Sequence, residues 1–144
     1  ETDKEDYDNA LAVYRNALDL DPKNAKIHCN LGFLYWGKGD TDEAIREYEY
    51  AIEYDKSYSI AYNNLGVIYL DDLGRVKEAI DMFKKAVEYN PNYALAHFNL
   101  ARSIAITGEK IEAAKLYQIA QDVNKITNEI DPQDITDKIN ALFD

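Results

Sequence analysis

The sequence predicts an all-α fold, a stack of helix–turn–helix repeats closed by a C-terminal capping helix, and three observations predict it. Four alanines, Ala10, Ala44, Ala79 and Ala113, stand 34, 35 and 34 residues apart. The aromatics Tyr14, Tyr48, Phe83 and Tyr117, and a second alanine row of Ala17, Ala51, Ala86 and Ala120, keep the same steps. Leu31, Leu65 and Leu100 form a further row, each followed by a small residue: Gly32, Gly66 and Ala101. Self-similarity at such a period is the mark of stacked supersecondary units. Small residues let two helices approach, and aromatics fill the space between them.

Each element follows from local pattern. A helix over 6–20 carries Ala10, Tyr14 and Ala17 on one stripe and ends at Asp21-Pro22. The next, over 25–38, places Leu31, Gly32 and Tyr35 on one face; its partner over 41–54 does so with Ala44, Tyr48 and Ala51. The pattern repeats over 59–72 with 76–89, and over 94–107 with 110–129. Gly39, Gly74 and Gly108 fall between the two helices of each pair, where a tight reversal needs a permissive backbone. Asp55 and Asn90 punctuate unit ends. One extra residue lies between Tyr69 and Ala79. The last helix, 132–143, has Asp131 as N-cap and Pro132 at its first position. Its stripe of Ile135, Ile139, Leu142 and Phe143 departs from the repeat and reads as the cap that covers the stack's last apolar face. The expected organisation is a single domain over 1–144: the second helix of a truncated repeat (6–24), repeats over 25–58, 59–93 and 94–127, and the cap at 131–144. A start at Glu1 rather than Met reads as a fragment or processed product.

Composition narrows the function. With a formal net charge of −11, the chain lacks the clustered Lys and Arg that phosphate contacts require, which argues against nucleic acid and anionic membrane surfaces. A partner with a charge preference is expected to be basic. No apolar run approaches the roughly 20 residues of a membrane span. The single cysteine, Cys29, excludes an internal disulfide and fits a reducing compartment such as the cytoplasm.

The stretches Cys29-Asn30-Leu31-Gly32-Phe33-Leu34-Tyr35 and Asn63-Asn64-Leu65-Gly66-Val67-Ile68-Tyr69 resemble the tetratricopeptide repeat family, with its W-x-x-L-G-x-x-Y…A-x-x-x-F…P pattern. The resemblance covers about residues 6 to 124. It departs where His28, Tyr62 and His97 replace the first aromatic, and where Lys56 stands in the slot of Pro22 and Pro91. The resemblance implies a right-handed superhelical solenoid whose first helices line a concave face that binds peptides. Asn30, Asn64 and Asn99 recur there, and a column of asparagines is able to bond an extended backbone through donor and acceptor together. The pattern is similar to the asparagine ladder of O-linked N-acetylglucosaminyltransferase repeats; bonding between neighbouring helices is the competing reading. Phe33, Trp36, Asn63, Val67, Phe98 and Arg102 complete the predicted peptide-binding set, within an apolar face that also holds Cys29, Ile60, Leu70, Leu95 and Ile106. The family's clamp for chaperone tails needs two cations. Its slots here hold Cys29, Phe33, Asn64, Leu95 and Asn99, so heat-shock chaperone tails are not expected.

No phosphate loop, metal-spaced cluster or nucleophile elbow occurs, so neither enzyme activity, cofactor nor metal is expected. His28 and His97 read as packing residues, and Asp40, Asp42, Glu43, Asp71 and Asp72 as caps and dipole partners. Tyr7 and Tyr50 fall outside the packing rows. The function expected is a protein–protein interaction scaffold binding a peptide segment, apolar or basic. Two alternatives stand beside it: self-assembly through the unpaired stripe Leu11, Tyr14 and Leu18 on the first helix, and service as the recognition arm of a larger enzyme such as a glycosyltransferase.

Overall fold

Residues 2–144 are described in the computed structural model, with side chains from Lys4 onward. The helices are α1 (Thr2–Leu20), α2 (Ala25–Lys38), α3 (Thr41–Tyr54), α4 (Ser59–Val67), α5 (Val76–Tyr89), α6 (Ala94–Ile106), α7 (Lys110–Thr127) and α8 (Pro132–Ala141). A π-helical turn, Ile68–Asp72, continues α4. The chain gathers into two compact units, residues 1–64 and 65–144.

In the first unit, α2 begins on a cap that its sequence pattern did not announce. Asn24 Oδ1 accepts the Ile27 N–H at 3.1 Å, and Asn24 Nδ2 donates to Asp21 Oδ2 at 2.8 Å. The helix ends at Gly39, whose φ of 91° lies in the left-handed region, and the Gly39 N–H closes on the Trp36 carbonyl at 3.0 Å. Asp40 occupies the N-cap position of α3 without a side-chain capping bond, while Asp42 and Glu43 occupy the first turn at the positive end of the dipole. Between α2 and α3 the backbones come so close that a Cβ on Gly32 would lie 2.9 Å from the Tyr48 ring and 3.2 Å from the Ala44 carbonyl oxygen. Leu31, Ala44, Tyr48 and Ala51 are buried around this contact. α1 packs on α2, with Arg15 Nη2 donating to the Tyr35 hydroxyl at 3.1 Å.

The second unit repeats the close approach. A Cβ on Gly66 would sit 2.7 Å from the fully buried Phe83 ring. The extra residue after Tyr69 is where the expected α-helix over 59–72 gives way. The Leu73 N–H reaches back to the Ile68 carbonyl at 3.1 Å, five residues instead of four, and the Arg75 N–H reaches Tyr69 at 2.7 Å. A π turn takes up one residue without breaking the helix. Gly74 thereby keeps its left-handed conformation, φ 63°, and Ala79 keeps its place in the core.

Downstream, Leu100, Ala101, Ile104, Ala113, Tyr117, Ile135 and Leu142 share one core with Phe83 and Leu70. α8 covers the α6–α7 pair through Ile135 and Leu142, in the role the apolar stripe predicted. The α-helix ends at Ala141, short of the expected 143; Leu142 and Phe143 continue in a tighter turn onto the Ile139 and Asn140 carbonyls, and Phe143 stays exposed. The turn into α8 hangs on a buried side chain. Asn124 Oδ1 accepts from Glu129 N (2.8 Å) and Ile130 N (2.9 Å), while Nδ2 donates to Ile130 O at 2.6 Å. Asp131 caps α8 as expected, accepting from Gln133 N at 2.9 Å. Glu129 in turn accepts the Leu95 N–H at 2.9 Å near the start of α6.

Candidate functional site

The slot that holds His28, Tyr62 and His97 has a chemistry that packing alone does not include. His28 Nε2 donates to Pro22 O at 2.9 Å, Tyr62 Oη to Lys56 O at 3.1 Å, and His97 Nε2 to Pro91 O at 2.9 Å. Each acceptor lies six residues upstream. A ring bearing a donor therefore ties each first helix to the carbonyl of the loop before it. The constant spacing was the available signal. His28 also meets Glu47 Oε2 through Nδ1 at 2.7 Å and lies against Tyr50 and Tyr54, which accounts for Tyr50. Tyr7 is accounted for by the Lys38 ammonium, 5.0 Å above its ring.

In the first unit α2 carries Asn30, Phe33 and Trp36 on one stripe, three residues apart. Phe33 is 60% exposed, an unusual degree for a phenylalanine, and meets Trp36 edge-to-face with centroids 6.2 Å apart. Asn30 is half-buried and makes no side-chain hydrogen bond among the described residues. A cleft of about 350 Å³ opens beside this stripe, lined by Tyr7, Phe33, Leu34, Gly37 and Lys38. Ile60, on α4, is also exposed. Asn64 is half-buried, with Nδ2 directed at Cys29 Sγ at 4.0 Å and Oδ1 accepting from Asn63 at 3.4 Å. Both contacts are long, and the first joins α4 to α2 in the manner of the helix-to-helix alternative. Asn63 is 1% exposed, which places it in the core and removes it as a side chain able to touch a partner. Cys29 is buried too, and burial pushes its thiol up to about 12, against a weaker opposing pull from the Asn64 amide. The thiolate needed for nucleophilic chemistry is absent near neutral pH.

In the second unit Val67 and Phe98 are half-buried, and Phe98 leans edge-to-face on Tyr117 at 5.4 Å. Asn99 is only 4% exposed, so its amide has little surface to offer, unlike that of Asn30. Leu70 is buried as well. Arg102 donates from Nη2 to Asp71 Oδ2 at 2.8 Å, which makes Asp71 an ion-pair partner instead of a cap. The Arg75 guanidinium lies 4.8 Å over Tyr69 at the π turn. Among the described residues no cluster of His, Cys, Asp or Glu is placed to hold a metal, and no helix is long and apolar enough to cross a membrane.

Paired helices, a small residue against an aromatic and a glycine in the left-handed turn define a helical-repeat protein. The sequence matches the family described as Tetratricopeptide repeat over residues 29–87 and 69–135, and that described as TPR repeat over 1–39. The chain belongs to the tetratricopeptide repeat family. No curated protein matches the sequence significantly, whereas 259 chains of solved structures match the fold. One is the TPR2B domain of yeast Sti1, solved as a complex with pHsp70. It is similar at a TM-score of 0.76 and 22% identity, over 82% of this chain and 94% of that one.

Proposed function

We propose that the chain is a non-catalytic protein-interaction module that holds an extended, largely apolar segment of a partner on the first helices of its repeats. The observation that carries this reading is the α2 stripe: exposed Phe33, edge-on Trp36 and the uncommitted Asn30 amide, beside a cleft. Apolar side chains of a partner are stripped of water against the rings, and an amide fixes its backbone through donor and acceptor at once. In the first unit Asn30 and Asn64 are the ladder members with surface to use, Phe33 and Trp36 select side chains, and the buried Asn63 shapes the helix that carries it; in the second unit Val67 and Phe98 select side chains and the buried Asn99 shapes its helix. The solved relative was captured with pHsp70. In this chain the carboxylate-clamp slots hold Cys29, Phe33 and Leu95, so the partner segment is of a different chemistry from an anionic chaperone tail.

A random-peptide display selection on the full chain, followed by fluorescence polarisation, tests this. Selected peptides are expected to be apolar and to lose at least tenfold in affinity on Phe33→Ala with Asn30→Ala. Leu20→Ala, at a residue 89% exposed on α1, leaves affinity unchanged. Equal binding by the double variant refutes the reading.

A second reading rests on α1. Ala10, Tyr14 and Ala17 are only half-buried, whereas the residues in the same register of α3, α5 and α7 are fully buried beneath a first helix. This face has room for a helix, and a second copy of the chain would supply one. Light scattering that stays monomeric at millimolar concentration excludes self-assembly. A dimer abolished by Tyr14→Glu supports it.

A further inference from the structure

We propose that the open cleft bordered by α6, α7 and α8 binds a carboxylate carried on an apolar group. The observations lie wholly within the second unit. The cleft measures about 320 Å³, and Arg102, Lys110 and Lys138 contribute to its lining while no acidic residue does. That imbalance runs against the chain as a whole, which has 27 acidic residues to 16 basic ones. Arg102 is already joined to Asp71 through Nη2, but its buried Nε has no acceptor. That Nε is closed to solvent, so what the guanidinium offers an incoming group is its charge. Lys110 and Lys138 are exposed and belong to no ion pair among the described residues. A carboxylate entering among these groups gains charge-assisted hydrogen bonds.

The rest of the wall defines the other half of the ligand. Ile106 lines the same space and is 58% exposed although it is a large aliphatic side chain, with the buried Tyr117 and Leu142 behind it. Just beyond, Ile111 and Phe143 border an adjoining depression that also holds Lys110 together with Glu109 and Glu112. An inorganic anion would leave this apolar surface wet, and a hydrocarbon would leave the cations unanswered. An acid with an apolar body satisfies both. The size suits one side chain of a peptide, or a small free acid. Whether the carboxylate comes from a glutamate or aspartate side chain, a chain terminus or a metabolite is the same chemistry at the wall.

The test uses the 144-residue protein, nitrogen-15 labelled, titrated with 3-phenylpropionate and separately with 3-phenylpropionamide. Saturable shifts at the backbone amides of Ile106, Lys110 and Leu142 are expected for the acid, with the neutral amide at least tenfold weaker. Lys110→Gln with Lys138→Gln, both at surface positions, is expected to weaken the acid at least tenfold and to leave the rest of the spectrum unchanged. Raising salt from low to moderate ionic strength weakens it further. Acetyl-Leu-Glu-Leu-amide and acetyl-Leu-Phe with a free terminus identify the source: saturation by either supports the site and assigns the carboxylate. Equal binding of acid and amide, an unmoved affinity in the double variant, or shifts that never saturate would overturn the proposal. The site goes beyond the interaction reading. A chain that selects no peptide would still bind 3-phenylpropionate, so the two fail separately.

Discussion

Adding one methyl group at three glycines separates helix propensity from packing. At Gly66 a Cβ would meet Phe83 ring atoms at 2.7, 2.9 and 3.0 Å, and at Gly32 it would meet Tyr48 at 2.9 and 3.0 Å and the Ala44 carbonyl at 3.2 Å. Both rings are fully buried and have no room to swing aside, so the helices must part. Overpacking of this kind costs about 1–3 kcal/mol, and the upper half of that range applies because the obstacle is an aromatic ring. Alanine recovers about 1 kcal/mol of helix propensity over glycine. The net for Gly66→Ala or Gly32→Ala is then a loss of about 1–2 kcal/mol, a fall in Tm of roughly 3–8 °C for a chain of this size. Gly37 lies inside α2, where an added methyl would find nothing within 4 Å and the backbone is ordinary helix. Gly37→Ala should therefore stabilise by about 0.5–1 kcal/mol. Urea titration followed by circular dichroism measures all three. Combining Gly66→Ala with Phe83→Leu should cost less than the sum of the two, by about 1 kcal/mol, because the methyl fills the space the ring leaves. A Gly66→Ala protein as stable as the parent, or a Gly37→Ala protein destabilised to the same degree, would show that the close approach is not what glycine serves there.

Three further outcomes follow from other sites. Asn124→Ala should cost about 2–3 kcal/mol in urea titration, because it orphans the Glu129 and Ile130 N–H groups and the Ile130 carbonyl together; a loss under about 0.5 kcal/mol would mean water replaces the side chain freely. Deleting Asp72 should convert the π turn to regular α-helix, keeping helical content with a stability loss below about 2 kcal/mol, whereas deleting Gly37 shifts the register of α2 against Gly39 and should lower stability far more; equal damage from both deletions contradicts the assignment. Cys29 should resist iodoacetamide at pH 8 until the chain is unfolded. With its folded thiol at about 12 against 9.0 for the ordinary group, its contribution to stability is fully present below pH 9 and is lost as the pH rises toward 12. Comparison with Cys29→Ala across that window checks the sign.

The repeat was legible in the sequence because packing asks for the same thing each time. Ala44, Ala79 and Ala113 are fully buried where the rows placed them, and Ile135 and Leu142 cap the last pair as their spacing indicated. The π turn was not legible as such. The surplus residue after Tyr69 was plain, but a loop insertion satisfies the same count, and only the backbone bond from Leu73 to Ile68 distinguishes them. The candidate site was read less well, since equal register does not give equal burial. Asn30, Asn64 and Asn99 share one slot, yet Asn99 has almost no accessible surface while Asn30 keeps an open amide. Neighbours on other helices decide that, and a single helix's periodicity does not contain them. Arg102 counted as an exposed polar contact until its partner on the π turn, Asp71, came into view.

The ring-to-carbonyl ties at Pro22, Lys56 and Pro91 have a bearing on how such an array drifts and how it is redesigned. The acceptor is main chain, which all twenty amino acids possess, so the loop position is free to change identity without loosening the stitch. The burden falls on the ring six places later, where only a long, flat side chain tipped with a proton has the reach. An engineer splicing in a foreign repeat therefore has latitude at the proline and almost none at the aromatic.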